Sequence, residues 1–98
     1  MIDIPETLSQ KYPEVIPYFK SLAKDIRNLI PGYFSVRFFP SGNVDLYVDQ
    51  PDDDFVIVSL TSIEKESRIA QFVREYCRIM NVPFISIDYM GRLCQDWH

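Results

Sequence analysis

Apolar residues recur along this chain with two different spacings, and the change between the spacings divides it into elements. Between residues 14 and 30 they lie three or four apart, which is the spacing of one face of an α-helix. These positions are Val15, Ile16, Phe19, Leu22, Ala23, Ile26, Leu29 and Ile30. Pro17 fits a helix only in its first turn, so we predict a helix that begins near Val15 and ends at Pro31-Gly32.

Three segments that follow have the alternation or the composition of β-strands. Tyr33–Phe39 and Val44–Asp49 alternate apolar and polar side chains, whereas Phe55–Leu60 is apolar almost throughout. Turn-forming residues fill the gaps at 40–43 and 50–54. The pattern therefore predicts three consecutive strands joined by short turns.

A second helical segment follows these strands. The pattern Thr61-x-x-Glu64 matches a capping box at its start, and Asn81 is typical of a helix C-terminus. Glu64 also stands four residues before Arg68, an order that favours an ion pair on a helix. Its apolar stripe is Ile69, Phe72, Val73, Tyr76, Cys77 and Met80. Beyond it, Pro83–Tyr89 is predicted to be the last strand.

The order α-β-β-β-α-β predicts an α+β fold built as a single two-layer sandwich. We expect an antiparallel meander of three strands, a fourth strand after the second helix, and both helices on one face of the sheet. Residues 1–98 are predicted to form one domain, with 1–12 as an N-terminal arm or short helix and 90–98 as a C-terminal tail.

Because side chains alternate across a strand, the register decides which residues share a face. Placing Val36 opposite Leu46 keeps apolar residues on the core face and sets Arg37 opposite Asp45 on the outer face. A slip of one residue would bury both charges. We expect the third strand to direct Val56, Val58 and Leu60 toward the core. The residues predicted on the outer face are Tyr33, Ser35, Arg37, Asp45, Tyr47, Asp49, Phe55, Ile57 and Ser59, joined by Phe84, Ser86 and Asp88.

The net charge of −4 arises in one part of the chain. Between residues 33 and 60 five aspartates outnumber one cation, Arg37, while the segments before and after balance to zero. An acidic chain is poorly suited to general nucleic-acid binding, because phosphate contacts require clustered Lys and Arg. We expect direct nucleic-acid binding to be absent and the acidic region to attract a basic protein partner.

Aromatic and aliphatic side chains mixed with carboxylates on the outer face are typical of a protein interface. The alternative is that exposed sheets favour Tyr and Phe in any case. The predicted partner-binding residues are Tyr33, Arg37, Asp45, Tyr47, Asp49, Asp52, Asp53, Asp54, Phe55 and Ile57.

The chain offers little of the chemistry that catalysis requires. The only histidine is the terminal His98, so Cys77 and Cys94 lack a base for a nucleophilic mechanism. The acidic run 49–54 could attract a hard cation, but it lacks the spacing of an EF-hand and is typical of a solvated turn. We predict no enzymatic activity, no cofactor and no metal site.

The cysteines and the apolar runs bear on the compartment. Cys77 lies on the helical stripe and is predicted to be a buried, reduced thiol. The chain shows no signal-peptide pattern and no apolar run long enough for a membrane helix. A cytoplasmic location without membrane attachment is therefore expected.

The element order is similar to that of the core of PD-(D/E)xK nucleases, whose second strand supplies an Asp and whose third supplies an acid and a Lys. Asp45 stands in a comparable place, whereas the third strand has Val58-Ser59-Leu60 where the acid and lysine would be. The resemblance implies a nuclease-like core without the groups that hold a metal and an activated water. Because topology alone does not assign function, no family is assigned from it.

Three hypotheses follow. The first is a small cytoplasmic protein-binding module, an inhibitor or adaptor, that engages a basic partner through the outer face and the acidic loop. The second is a catalytically dead nuclease-like core or nucleic-acid-associated accessory protein that uses Arg68, Arg74 and Arg78. The third is a homodimer that buries the sheet face or extends the sheet through an edge strand.

Overall fold

The computed structural model describes residues 4–50, 52, 55–60, 62–64 and 66–94. Within these residues, three helices pack against a five-stranded antiparallel sheet, which confirms the predicted α+β class. The helices are α1 (Glu6–Lys11), α2 (Val15–Leu29) and α3 (Arg68–Met80). The strands are β1 (Phe34–Phe38), β2 (Val44–Val48), β3 (Val56–Ser59), β4 (Ile85–Asp88) and β5 (Leu93–Cys94).

The first helical pattern folds as predicted. A short helix, α1, occupies part of the predicted N-terminal arm, and α2 begins at Val15. Pro17 lies in the first turn of α2, where its missing N–H would have no partner in any case. After α2 the chain becomes extended at Ile30 and turns at Gly32, whose positive φ of 99° favours glycine.

The start of α3 differs from the prediction. Ser67, not Thr61, is the N-cap, and its hydroxyl accepts a hydrogen bond from the backbone N–H of Ala70 at 3.1 Å. Thr61 lies outside the described residues. Glu64 precedes the helix, so the predicted pair with Arg68 is wrong. The end of the helix is as predicted, because Asn81 adopts the left-handed conformation there.

The sheet order is β3-β2-β1-β4-β5. The predicted register is confirmed, with Val36 opposite Leu46 and Arg37 opposite Asp45. β4 pairs antiparallel with β1, and β5 adds a fifth strand inside the segment predicted to be a tail. The sequence signal for β5 was weak because a strand of two residues has no measurable alternation.

The core is held by aromatic rings between the two layers. Phe19 of α2 lies 5.1 Å from Phe38 of β1 and 6.1 Å from Phe72 of α3, measured between ring centroids. All three are buried. Such tilted and edge-to-face pairs add to the hydrophobic gain of burial. Both long helices therefore lie on one face of the sheet, above its central strands.

A close backbone approach fixes α2 against the turn between β4 and β5. A Cβ atom on Gly91 would lie 2.6 Å from the Cα of Lys20, a distance that real structures essentially never show. Gly91 also has a positive φ of 81°. The turn can meet the helix only because this residue has no side chain.

The helices do not cover the whole core face. Val58 lies opposite Leu46 on the predicted side of β3, yet it is 43% exposed. Leu29 belongs to the predicted apolar stripe, yet it is 82% exposed. α2 ends at Leu29 and the chain then leads into β1, so within the described residues no helix covers β3. Val56 and Leu60, which were predicted to face inward with Val58, are partly buried, so the shortfall in burial is at Val58.

Within the part of the chain that the structure describes, no helix is long and apolar enough to cross a bilayer.

Candidate protein-binding surface

The centre of the outer face is organised around Arg37. Its guanidinium carbon lies 4.1 Å from the ring centre of Tyr47 and 4.5 Å from that of Phe84. The guanidinium also donates a hydrogen bond of 3.3 Å to the Tyr47 hydroxyl. Stacking of this kind stabilises the cation on the aromatic faces. Arg37 therefore contacts aromatic side chains of the outer face.

Asp45 stands opposite Arg37 in the ladder. The Arg37 guanidinium lies over the rings of Tyr47 and Phe84. Asp45 is half-buried on the outer face.

Small side chains beside this stack are buried, although the outer face was predicted to be open. Ser35, opposite Tyr47, and Ser86, opposite Arg37, are 0% and 2% exposed. A serine is much shorter than the stacked side chains beside it, which overhang it. Neither hydroxyl has a hydrogen-bond partner among the described residues. These two serine hydroxyls are therefore out of reach of a partner.

Asp88 is also buried, at 3% exposure. Its carboxylate accepts hydrogen bonds from the backbone N–H groups of Met90 and Arg92 and from Nε of Arg92, at 2.9, 3.0 and 2.9 Å. Burial alone would raise the pKa of Asp88, but these hydrogen bonds and the Arg92 charge outweigh it and lower the pKa. Asp88 shapes the turn into β5 and is not part of a contact surface.

Two exposed apolar side chains of the outer face lie on β3 or directly before it. Ile57 is 64% exposed and Phe55 is 42% exposed. Tyr33 is exposed too, and its ring packs edge-on against Tyr89 at 4.8 Å. Among the described strands, β3 is the outermost at this end of the sheet. Ile57 and Val58 are exposed on its two opposite faces.

A groove runs along the helix side of β3, between this strand and the end of α2. We call it the β3 groove; its volume is about 660 Å³. Its apolar lining includes Ile30, Leu46, Val48, Val56 and Val58. Asp49 also lines it, although the sequence placed this residue on the outer face. The size and the lining suit an apolar guest with a positive group beside it.

Among the described residues, no strand pairs with the free edge of β3. The N–H of Leu60 donates to the carbonyl of Val44 at 2.9 Å, so this pair is hydrogen-bonded across the ladder. Bonded and non-bonded pairs alternate in an antiparallel ladder, so Val58 and Val56 also face β2. The strand residues that turn their N–H and C=O groups to the free edge are Ile57 and Ser59. We call this row the β3 edge.

The acidic loop is only partly described. Asp52 is exposed. Asp53 and Asp54, which the sequence placed in the same contact site, lie outside the described residues. Within the described part of the chain, no group of three or more His, Cys, Asp or Glu residues is arranged to hold a metal ion.

The two thiols are poorly suited to react. Burial raises the pKa of the Cys77 thiol to about 11. Burial also raises the pKa of Cys94, which is partly buried on β5. Because the thiolate is the nucleophile, both groups are protonated and weakly reactive at neutral pH.

A cavity of about 80 Å³ beside β4 and β5 is the other depression of interest. It is lined by Tyr76, Ser86 and Cys94, among others. Pockets that hold drug-sized ligands usually reach several hundred Å³, roughly 300 or more. This cavity is too small for such a ligand, so the β3 groove is the stronger candidate site.

Sequence reasoning missed a polar junction between α1 and α3. Arg68 pairs with Glu14 at 2.8 Å and lies 4.4 Å from the ring centre of Tyr12. Glu75 accepts hydrogen bonds from the Tyr12 hydroxyl and from Lys11, and mainly the bond from Tyr12 lowers its pKa. The partners are more than fifty residues apart in sequence, so no local pattern could reveal them.

Comparison with family models, with curated proteins and with solved structures found no match. A functional interpretation therefore depends on the residues of this chain alone.

Proposed function

We propose that this protein is a small cytoplasmic protein-binding module that engages a basic partner at the β3 end of its sheet. The observation that carries the proposal is the clustering of exposed apolar side chains on β3. Ile57 and Val58 point to opposite faces of the strand and are 64% and 43% exposed. Apolar side chains exposed together usually mark an interaction site.

We narrow the proposed surface relative to the ten residues named from the sequence. Arg37 and Tyr47 are engaged with each other in the middle of the outer face. Phe55 and Ile57 remain exposed beside β3, and Asp49 lines the groove on the other side of the strand. The proposed contact site therefore includes both faces of β3 and excludes the centre of the sheet.

Charge supports a basic partner. Asp49 and the exposed Asp52 lie at the end of the sheet where β3 begins, in the segment that holds the net surplus of −4. A local negative field speeds encounter with a positively charged surface and disfavours acidic ones. An inhibitor that sets carboxylates against a nucleic-acid-binding protein is a special case of this proposal.

A binding role, not an enzymatic one, is part of the proposal. The two cysteines have raised pKa values, and Asp88 and Glu75 are held in structural hydrogen bonds. Burial and these hydrogen bonds explain the shifted pKa values of the four groups without a reaction.

A homodimer is the second candidate, and the lack of charged side chains along β3 favours it. Phe55–Leu60 contains no charged residue, so two copies could place this segment side by side without opposing like charges. Light scattering would then give about twice the mass of one chain, 11.5 kDa, and Ile57→Lys would restore the single-chain mass. A single-chain mass for the wild type at high concentration would contradict it.

The nucleic-acid alternative has less support. Of the three cations it would use, Arg68 is occupied by Glu14 and by the carbonyl of Lys11. Only Arg74 and Arg78 of this trio are left for phosphate contacts, and both are exposed on α3. A gel-shift series at low salt would reveal such binding if it occurs.

The test of the main proposal is affinity capture from the source cells, with three forms of the protein. Ile57→Asp places a charge on the exposed part of β3, whereas Ile79→Asp does the same at a 45% exposed site on α3. We expect a protein that the wild type and Ile79→Asp retain and that Ile57→Asp loses. The interaction must then be reproduced with both proteins purified. If no captured protein distinguishes Ile57→Asp from Ile79→Asp, the proposed surface is wrong.

A further inference from the structure

We propose that the partner supplies an extended segment that adds to β3 as a further strand of the sheet. In this segment apolar side chains alternate along the strand, and Lys or Arg flank them. The inference rests on the proposed function and names the chemistry of the partner. It derives from three features of the β3 region: its free edge, its groove and its charge.

The backbone of the β3 edge provides the main recognition. Ile57 and Ser59 direct their N–H and C=O groups away from β2, so a strand laid alongside would find a donor and an acceptor at each. Both residues are exposed, and no strand among the described residues pairs with this edge. Strand addition to an open sheet edge is a recurrent mode of peptide recognition, in which main-chain bonds give affinity.

The groove selects the side chains. In an added strand, every second side chain would lie on the helix side of the sheet, beside Val56 and Val58. That side opens into the β3 groove, whose lining also includes Ile30 and Leu46. Branched apolar side chains at alternate positions would fill this space. The intervening side chains would meet Ile57 on the outer face.

The acidic residues near β3 determine which residues flank the apolar part of the partner's segment. β3 itself contains no charged residue, so the middle of the added strand has no ionic partner. Asp49 lines one end of the groove, and Asp52 is exposed in the loop that precedes β3. A Lys or Arg beyond the apolar run would lie near these carboxylates. A second copy of this chain fits less well, because it has the same net charge of −4 and the same acidic loop.

Peptides selected from a displayed random library against the purified protein are the probe. We expect them to share alternating apolar residues and to be enriched in Lys and Arg. The decisive comparison uses Ser59→Pro, which removes an N–H from the free edge and no bond to β2, beside Ser59→Ala, which keeps that N–H. We expect Ser59→Pro to weaken binding about tenfold or more, and Ser59→Ala to leave it within about twofold.

If Ser59→Pro does not fold, the same question is answered from the peptide. N-methylation of every second peptide amide removes those N–H donors, and it can be done on either of two alternating sets of amides. Methylation of the set that faces β3 should abolish binding to the wild-type protein, whereas methylation of the other set should have a small effect. Amide exchange gives an independent readout, since the N–H groups of Ile57 and Ser59 should become protected when the selected peptide binds. Equal affinity for the two methylated peptides, or no protection at these two residues, overturns strand addition.

The charge is tested with the selected peptides as well. Asp49→Asn with Asp52→Asn should weaken binding and flatten its salt dependence, whereas Asp25→Asn on the exposed side of α2 should change neither.

Selected peptides that are acidic or that show helical spacing, or a wild type that dimerises through β3, overturn the inference. Peptides that bind equally to Ser59→Pro and Ser59→Ala but not to Ile57→Asp would reject strand addition and leave the proposed surface intact. Failure of all selected peptides to distinguish Ile57→Asp would reject both.

Discussion

Two serine hydroxyls of this chain are expected to have opposite effects on stability. The Ser35 hydroxyl is fully buried and has no hydrogen-bond partner among the described residues, whereas the Ser67 hydroxyl caps α3. A buried polar group without a partner lowers stability, so Ser35→Ala should raise the free energy of unfolding by about 1 kcal/mol. The same change at Ser67 should lower it by about 1 kcal/mol, because a helix cap is lost. Urea unfolding of both variants measures this, and equal signs would contradict it.

Asp88 predicts a dependence of stability on acid. Its pKa is lower in the folded protein than the ordinary aspartate value of about 3.9, so the folded state favours the ionised form. Its contribution is therefore complete above that value, and it is lost as the pH falls through the lower folded pKa. We expect Asp88→Asn to be about 2 kcal/mol less stable near neutral pH and to lose less stability between about pH 4 and 2.

Chemical unfolding across that pH range checks the Asp88 prediction. Asp25→Asn, at an exposed site on α2, serves as the control because it should follow the wild type. Parallel profiles for the wild type and Asp88→Asn would show that the carboxylate does not stabilise the turn.

For single residues, the sequence predicted which face of the sheet a side chain occupies better than it predicted how buried that side chain is. The charge of Arg37 and Asp45 fixed the register, because only one register kept both out of the core. The same argument placed Ser35 and Asp88 on the outer face but could not show that they are buried there. Their burial depends on neighbours in other strands, whose side-chain directions no local pattern contains.

Among the elements, α2 and the β4–β5 turn are the most sensitive to a single methyl group. A Cβ on Gly91 would meet the backbone of Lys20 and Phe19, neither of which can move without shifting α2. Gly32 has a similar positive φ, but an added Cβ there meets nothing within 4 Å. Gly91→Ala should therefore cost about 3 kcal/mol or more, and Gly32→Ala only about 1 kcal/mol. Thermal or urea unfolding of the pair separates the steric clash from backbone strain, and equal losses would contradict the clash.

Element prediction succeeded where a long periodic pattern existed and failed at short or competing signals. α2 and the meander have enough residues to define their spacing, so their order was recovered. The capping-box pattern predicted a helix start at Thr61, whereas the N-cap of α3 is Ser67. Periodicity gave the direction of Val58 and Leu29, but it does not tell whether another element lies above them.

For the whole molecule, Asp49, one acid of the surplus, proves to be a neighbour of exposed apolar residues at one end of the sheet. Asp49 lines the same groove as Val56 and Val58, a juxtaposition that charge counting along the chain could not show. The sequence placed the proposed partner-binding residues between 33 and 57, and that assignment stays a prediction. The sequence could not indicate the groove, because the groove exists only where α2 ends short of β3.

The same juxtaposition affects how the protein behaves at high concentration. An uncovered apolar edge strand is a hazard for precipitation, and adjacent carboxylates keep identical molecules apart by mutual repulsion. That protection should disappear near the isoelectric point of about 4.8, where the net charge vanishes. Turbidity should therefore rise in that pH range for the wild type and much less for Val58→Lys. The aspartates beside β3 would thus serve colloidal stability whenever the binding partner is absent.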